Sequence, residues 1–382
     1  MSGSVFHGRR AARAAAGLMA GLTAGAALAN PAYSPAGVSQ CLTFANNAEQ
    51  PQPFTNAPML GFAINGGPKH TVTMDTGSVG IAIGAQNIPD FAKLKAGPEA
   101  KPGTQFLSSS KILWTGTWVP VTVTLYDGET PVATSSVPVL GVEQAVICRD
   151  YQGGPTCPSP SGTADASKVV YMGVGFGREA DSQPQGTPDK NALLNITHIA
   201  GKPIDPATYT RGYVIGKTGI TVGLTPGNTQ GFRFVKLTPN AAAPTDWTPA
   251  PMCVQVNDSP CMAGTVLVDT GIPQSYLTVP TATAFQTVKA PDASMKSVMI
   301  DVLANGTKVA VQIPDATAPA GGESFVVGGG SPVEPLQVIP WRSDTRPVFI
   351  NTGRHFLRQT QFLYDAKNGY IGLKPQTEGC GG

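Results

Sequence analysis

Asp-Thr-Gly occurs twice in this chain, as Asp75-Thr76-Gly77 and as Asp269-Thr270-Gly271, 269 − 75 = 194 residues apart. Each copy closes a largely apolar run, Val72-Thr73-Met74 in the first case and Val266-Leu267-Val268 in the second. A carboxylate at the end of a buried strand is costly unless it is hydrogen-bonded or shared. Two of them brought within about 3 Å cannot both ionise, so one proton is held between them and their titrations split. Such a pair can hydrolyse with neither metal nor covalent intermediate: the ionised member polarises a water and the protonated member donates to a carbonyl oxygen. Glycine after the threonine lets two backbones approach, because no Cβ intervenes. The threonines can bond across to the opposite copy and hold the carboxyls in one plane.

A lone Asp-Thr-Gly is a common turn, so the weight rests on the second copy and on the glycine motif downstream of each. Met172-Gly173-Val174-Gly175-Phe176-Gly177 lies downstream of the first, with Gly175 100 residues past Asp75. Ile350-Asn351-Thr352-Gly353 lies downstream of the second, with Gly353 84 residues past Asp269. Two copies of one plan are implied. The glycines at 173–177 do not have the spacing of a dinucleotide loop, and no Gly-x-Ser-x-Gly elbow for a serine hydrolase occurs.

The elements that must hold these residues read as strands. Alternating apolar and polar stretches appear at 71–74, 119–126, 132–139, 219–224, 232–237 and 309–313, with 266–268 as a short, wholly apolar one. Helical periodicity is scarce; short helices are predicted at 87–94, 190–199, 282–288 and 353–357. The Pro- and Gly-rich stretch 151–166 and the stretch 238–251 read as surface loops. Composition agrees. Only 13% of the 382 residues are charged, 41% are apolar, and 45 Gly with 35 Pro make up a fifth of the chain. That is too apolar for a disordered polymer and too rich in helix breakers for a helical bundle. The formal charge is +2 with no basic run after residue 13, which argues against a nucleic-acid partner.

Residues 1–29 read as a cleavable export signal: Arg9, Arg10 and Arg13 precede an alanine-rich apolar stretch, and Ala27-Leu28-Ala29 has the small-x-small pattern that a signal peptidase takes. The stretch is shorter than the roughly 20 residues a membrane helix needs. Export to the periplasm or the medium is expected, with a twin-arginine route as the minor alternative and no membrane attachment after cleavage. All six cysteines lie beyond the signal, which suits an oxidising compartment. Spacing suggests Cys148 with Cys157 and Cys253 with Cys261 as pinned hairpin loops, leaving Cys41 to join Cys380. Neither close pair has zinc-knuckle spacing and the four histidines show no ligand pattern, so no metal and no cofactor is expected. His198 and His355 are read as surface or packing residues.

At the triplets the chain resembles the pepsin-like, bilobal aspartic peptidases. The closing block Phe349 to Arg358, with Phe362-Leu363-Tyr364-Asp365 and Tyr370-Ile371-Gly372-Leu373, is similar to that family's C-terminal block. The resemblance implies an all-β, two-lobed acid protease fold: pseudo-twofold, six-stranded barrel-like lobes with a cleft between them. The N-terminal lobe would span 30–212 with Asp75 and the C-terminal lobe 213–382 with Asp269. It implies a catalytic pair Asp75 and Asp269, interlobe threonines Thr76 and Thr270, close-approach glycines Gly77 and Gly271, and Ser78 as a donor to the outer oxygen of Asp75. Gly175 and Gly353 would cross behind the triplets. A flap closing over extended peptide would fall at 111–118, with Gly116 in it and Trp114, or Trp118, standing in for the family's tyrosine as an aromatic wall.

Three departures stand out. Ile272 occupies a place where a Ser or Thr usually follows the second triplet, so Asp269 is expected to lack a donor and the dyad to titrate higher. Arg354 follows the crossing Gly353, where the family often has Asp. The 45 residues 30–74 offer no pro-segment lysine to block the dyad. The expectation is a monomeric exported endopeptidase acting on extended polypeptide. Because a fold does not settle activity, the alternatives are a non-catalytic binding or inhibitory protein on the same scaffold, and an enzyme restricted to itself or to one exported partner.

Overall fold

Val119, Val121, Val123 and Leu125 are buried and the residues between them are not, which is the period of two that one covered sheet face imposes. They belong to the strand Ile112–Asp127, which pairs along its length with Thr130–Ile147 in a long hairpin. The computed structural model describes residues 30–179, 183–293 and 296–381; the expected export signal, 1–29, lies outside them.

Strands dominate, and three sheets carry the fold. A ten-stranded sheet holds the strands between Met59 and Pro203, among them Lys69–Asp75, Val79–Gly84 and Val170–Val174. A seven-stranded sheet holds those between Ala250 and Arg342 that flank Met262–Leu267, together with Phe349–Asn351. The third, of six strands, draws on both halves of the chain: Gln40–Thr43, Gly219–Leu224, Thr210–Ile215, Thr360–Asp365, Tyr370–Pro375 and Arg233–Lys236, in that spatial order. This is an all-β, two-lobed, pepsin-like architecture. Residue 213 lies inside a strand of the shared sheet. Its fully buried Tyr213 and Tyr364 join one apolar core that runs from Leu42 to Leu373.

The predicted strands are present, most of them longer than predicted. Two of the four predicted helices are present, each with shifted bounds, and two are not. Only Phe91–Lys95 is α-helical within 87–94. Residues 190–199 give the end of a single turn, Pro188–Lys190, and then the strand Ile196–Ile199. Segment 282–288 runs into the strand Thr287–Pro291, and 353–357 is met by the short 3-10 helix Arg354–Arg358. In the second case Ile196 finds a partner at Ser135, and edge pairing outweighs a short helical pattern. The predicted loop 151–166 contains a three-residue strand, Gly162–Ala164, paired with the end of the long hairpin.

All three cysteine pairs are joined as their spacing suggested: Cys41–Cys380, Cys148–Cys157 and Cys253–Cys261, with Cα separations of 5.9, 5.6 and 5.4 Å. No described helix is long and apolar enough to cross a membrane.

Candidate active site

Asp75 ends the strand Lys69–Asp75 and Asp269 stands two residues beyond Met262–Leu267. Behind each runs a parallel crossing strand. Met74 and Asp75 lie opposite Met172 and Gly173, and Val266 and Leu267 lie opposite Ile350 and Asn351. The apolar strands bury themselves in the core and deliver the two carboxyls side by side, 3% and 6% exposed.

The threonines lock this arrangement. Thr76 N–H donates to Thr270 Oγ1 and Thr270 N–H to Thr76 Oγ1, both at 3.0 Å. The hydroxyls in turn donate across the twofold, Thr76 to Val268 O at 2.5 Å and Thr270 to Met74 O at 2.6 Å. The glycines are needed for room: a Cβ on Gly77 would stand 2.5 Å from Asp269 Oδ2, and one on Gly271 2.4 Å from Asp75 Oδ1. Replacing Thr270 by Val strands the buried Met74 carbonyl and the Thr76 amide, each costing about 1–3 kcal/mol. Urea unfolding should therefore show T270V less stable by about 2–5 kcal/mol; a loss below about 1 kcal/mol would mean the interlock is not holding the centre.

The two carboxyls are neighbours, close enough for each to bear on the other's proton. Gly77 N–H donates to Asp75 Oδ1 and Gly271 N–H to Asp269 Oδ1, both at 2.8 Å. Ser78 Oγ donates to Asp75 Oδ2 at 2.6 Å, as the resemblance implied. Asp269 is held well above the usual carboxylate range, first by burial and then by the neighbouring Asp75. The expected direction is therefore present, but its cause is not a missing donor. Ile272 offers none, and Asn351 Nδ2 donates to Asp269 Oδ2 at 2.7 Å in its place.

Asn351 is one of three residues the sequence reading missed. Tyr171 is another: its hydroxyl donates to Asp75 Oδ2, and burial with the Asp75 charge raises its phenol so far that it remains a neutral donor. The third is Arg178, whose Nε donates to Gly77 O at 2.9 Å. Arg354 reaches Gly271 O at 3.4 Å in the matching place. The available signals were polar residues two positions before Gly173 and Gly353, where a crossing strand should be apolar, and an arginine shortly after each glycine motif.

Arg354 also ties the second triplet to the N-terminal segment, through Thr55 O at 3.1 Å, and Arg358 binds Pro53 O at 3.1 Å. Burial lowers the Arg354 guanidinium to about 10, which leaves it charged at neutral pH. Next to it, His355 is buried against Glu334 O at 2.6 Å and lowered to about 4, burial being the main cause. A histidine so depressed contributes stability above its unfolded value near 6.5, lost as pH falls through the folded one. The melting temperature should drop by a few degrees between about pH 6.5 and 4, and H355Q should flatten that slope in a calorimetric series.

Gly175 and Gly353 do cross behind the triplets. A Cβ on Gly175 would meet Thr76 O at 2.2 Å and one on Gly353 would meet Gln274 O at 2.5 Å. Gly173, however, is the residue that stands directly opposite Asp75. The predicted flap residues Trp114, Gly116 and Trp118 lie in the strand Ile112–Asp127, with both tryptophans buried. Trp114 and Trp118 are 6% and 5% exposed and pack with Leu140 and Val142. The Trp118 indole N–H is spent on Gln185 at 2.6 Å, and Gly116 faces Gly141 O in the long hairpin. Trp114 does reach the centre indirectly, edge-on to the Tyr171 ring at 5.4 Å. Among the described residues, the one cluster with metal-ligand types, Cys148, Asp150 and Cys157, has both sulfurs in a disulfide.

No protein-family model matches the chain, and no curated protein matches it. Among solved structures it is similar to the crystal structure of the aspartic proteinase from Irpex lacteus, at 14% sequence identity over 89% of this chain and 98% of that one, with a TM-score of 0.47.

Proposed function

We propose that the chain is an exported aspartic endopeptidase that cuts extended polypeptides with water activated by Asp75 and Asp269. The observation that carries the reading is the pair itself: two buried, neighbouring carboxyls, each with a glycine amide on Oδ1, held by reciprocal threonine bonds. Asp269 is the member held well above the usual carboxylate range, which suits it to the proton-donating role. In the proposed reaction the ionised partner takes a proton from water while the oxygen attacks the peptide carbonyl carbon, and Asp269 gives its proton to the carbonyl oxygen. The tetrahedral diol collapses with proton transfer to the amide nitrogen. The C–N bond breaks to an acid and an amine, and the dyad again holds one proton. Export is supported by the residue pattern of 1–29 and by six cysteines joined in three disulfides.

A non-catalytic binding role is the competing reading, and Tyr171 favours it, because its hydroxyl occupies an oxygen of Asp75. Incubating the mature protein with an unbiased peptide library from about pH 3 to 7, with and without a statine-type inhibitor, separates the two. Inhibitor-sensitive cleavage supports the peptidase; peptide capture without cleavage supports the binding protein.

A further inference from the structure

We infer that Asn351 is a positioning residue for Asp269, supplying the bond that a hydroxyl at position 272 would supply, and that Tyr171 is its counterpart on Asp75. The inference rests on the peptidase reading above. Its geometry is a repeat. Asp75 lies opposite Gly173 in the parallel pairing of Lys69–Asp75 with Val170–Val174. Extending the Leu267 to Asn351 pairing by two residues puts Gly353 beside Asp269 in the same way. Tyr171 and Asn351 each precede that glycine by two, so each presents its side chain on the face of the crossing strand that meets the carboxyl. Each donates to Oδ2 of the aspartate in its own lobe.

The two halves differ in what else touches that oxygen. Asp75 Oδ2 takes Ser78 as well as Tyr171. On Asp269, Ile272 has no hydroxyl, and Asn351 is the donor that holds Oδ2. The carboxamide is locked in that sense. Its Oδ1 accepts Gly353 N–H at 2.9 Å, and a backbone N–H can only donate, so Nδ2 must face the aspartate. Ser275 Oγ fixes the Asn351 backbone by donating to its carbonyl at 2.7 Å, and Asn351 is 7% exposed.

The choice of an amide has a chemical consequence. A serine or threonine hydroxyl can donate or accept, whereas an NH2 group only donates. The oxygen it touches is thus held as an acceptor, as Gly271 N–H holds Oδ1. Asn351 fixes the plane of the carboxyl. The titratable and charged groups facing Asp269 are Asp75, Tyr171, Tyr276 and Arg354. Between about pH 3 and 7 the tyrosines remain neutral and Arg354 remains charged, so none of these three titrates there.

A donor to the charged form favours that form, so its removal raises Asp269 further. In N351L the high-pH limb of kcat/KM, where Asp269 gives up its proton, should move up by about one pH unit, with kcat at the optimum falling about tenfold or more. Adding I272T to N351L restores a donor and should bring both to within about threefold of wild type. A titration of the Asp269 carboxyl by 13C NMR, assigned with D269N, reads the same shift without turnover. If wild type cleaves but N351L keeps its limb and its Asp269 titration, the inference fails and the peptidase reading stands. If wild type does not cleave, that reading fails and the titration still decides the role of Asn351. Should N351L not fold, I272T alone serves: Oδ2 is already occupied, so its Asp269 titration should move by less than about half a pH unit, and a downward move of a full unit would overturn the inference.

Discussion

D75N and D269N each lose peptide hydrolysis, with kcat/KM falling at least about 10³-fold while the fold is kept. An amide in place of either carboxyl can neither take a proton from water nor hand one to the carbonyl oxygen. The surrounding bonds adapt at position 75, whereas at 269 the new amide meets Asn351 Nδ2 or Gly271 N–H and costs some stability. At position 75 the new carbonyl still accepts Gly77 N–H, and the hydroxyls of Ser78 and Tyr171 can turn to accept from the amide. Stability supplies an independent check on the direction of the Asp269 shift. A carboxyl whose folded value is raised contributes stability that is complete below its unfolded value near 3.9 and is lost as pH rises through the folded one. Melting temperatures of wild type should therefore decline over that interval relative to D269N, which has no proton there to lose. Near-wild-type hydrolysis by either variant would remove the dyad from the reaction.

Breaking the Cys41–Cys380 bridge has the largest expected effect on stability. It joins positions 339 apart, so its removal frees a loop of nearly the whole described chain, worth about 6 kcal/mol in the chain-entropy account. The strand Gln40–Thr43, which it anchors, closes the edge of the six-stranded sheet against Gly219–Leu224. The double substitution C41S/C380S should lower the melting temperature by roughly 5–10 °C. The Cys148–Cys157 and Cys253–Cys261 bridges close separations of 9 and 8 residues and should each cost less, about 2–3 kcal/mol. Equal losses from all three would show that loop length is not what the long bridge contributes.

Much of the site is legible in the order of residues. Asp75, Thr76, Gly77, Ser78, Asp269, Thr270 and Gly271 come together as their types require, because a buried carboxylate leaves few arrangements open: a shared proton, amide donors and a backbone without Cβ. Gly175 and Gly353 emerge from the same repeat. Cysteine spacing suffices for the pairing, since two hairpin loops leave one pair over. The failures have a common origin as well. Two of the helices predicted from short apolar patterns give way to strands where a sheet edge offers pairing. Local order places Trp114 and Trp118 in a flap, while the partners that bury or spend them, Leu140, Val142, Tyr171 and Gln185, come from up to 67 positions along the chain (185 − 118).

The linear order of residues thus settled the chemistry at the two strand ends, because triplet composition and repeat carry it locally. Tertiary structure alone decided who completes each carboxyl's shell. Asn351 stands 82 positions from Asp269 and Tyr171 stands 96 from Asp75, and parallel pairing of distant strands is what brings either within reach. A hydrogen bond depends on where a donor ends up in space, and no spacing rule within one strand could have supplied that.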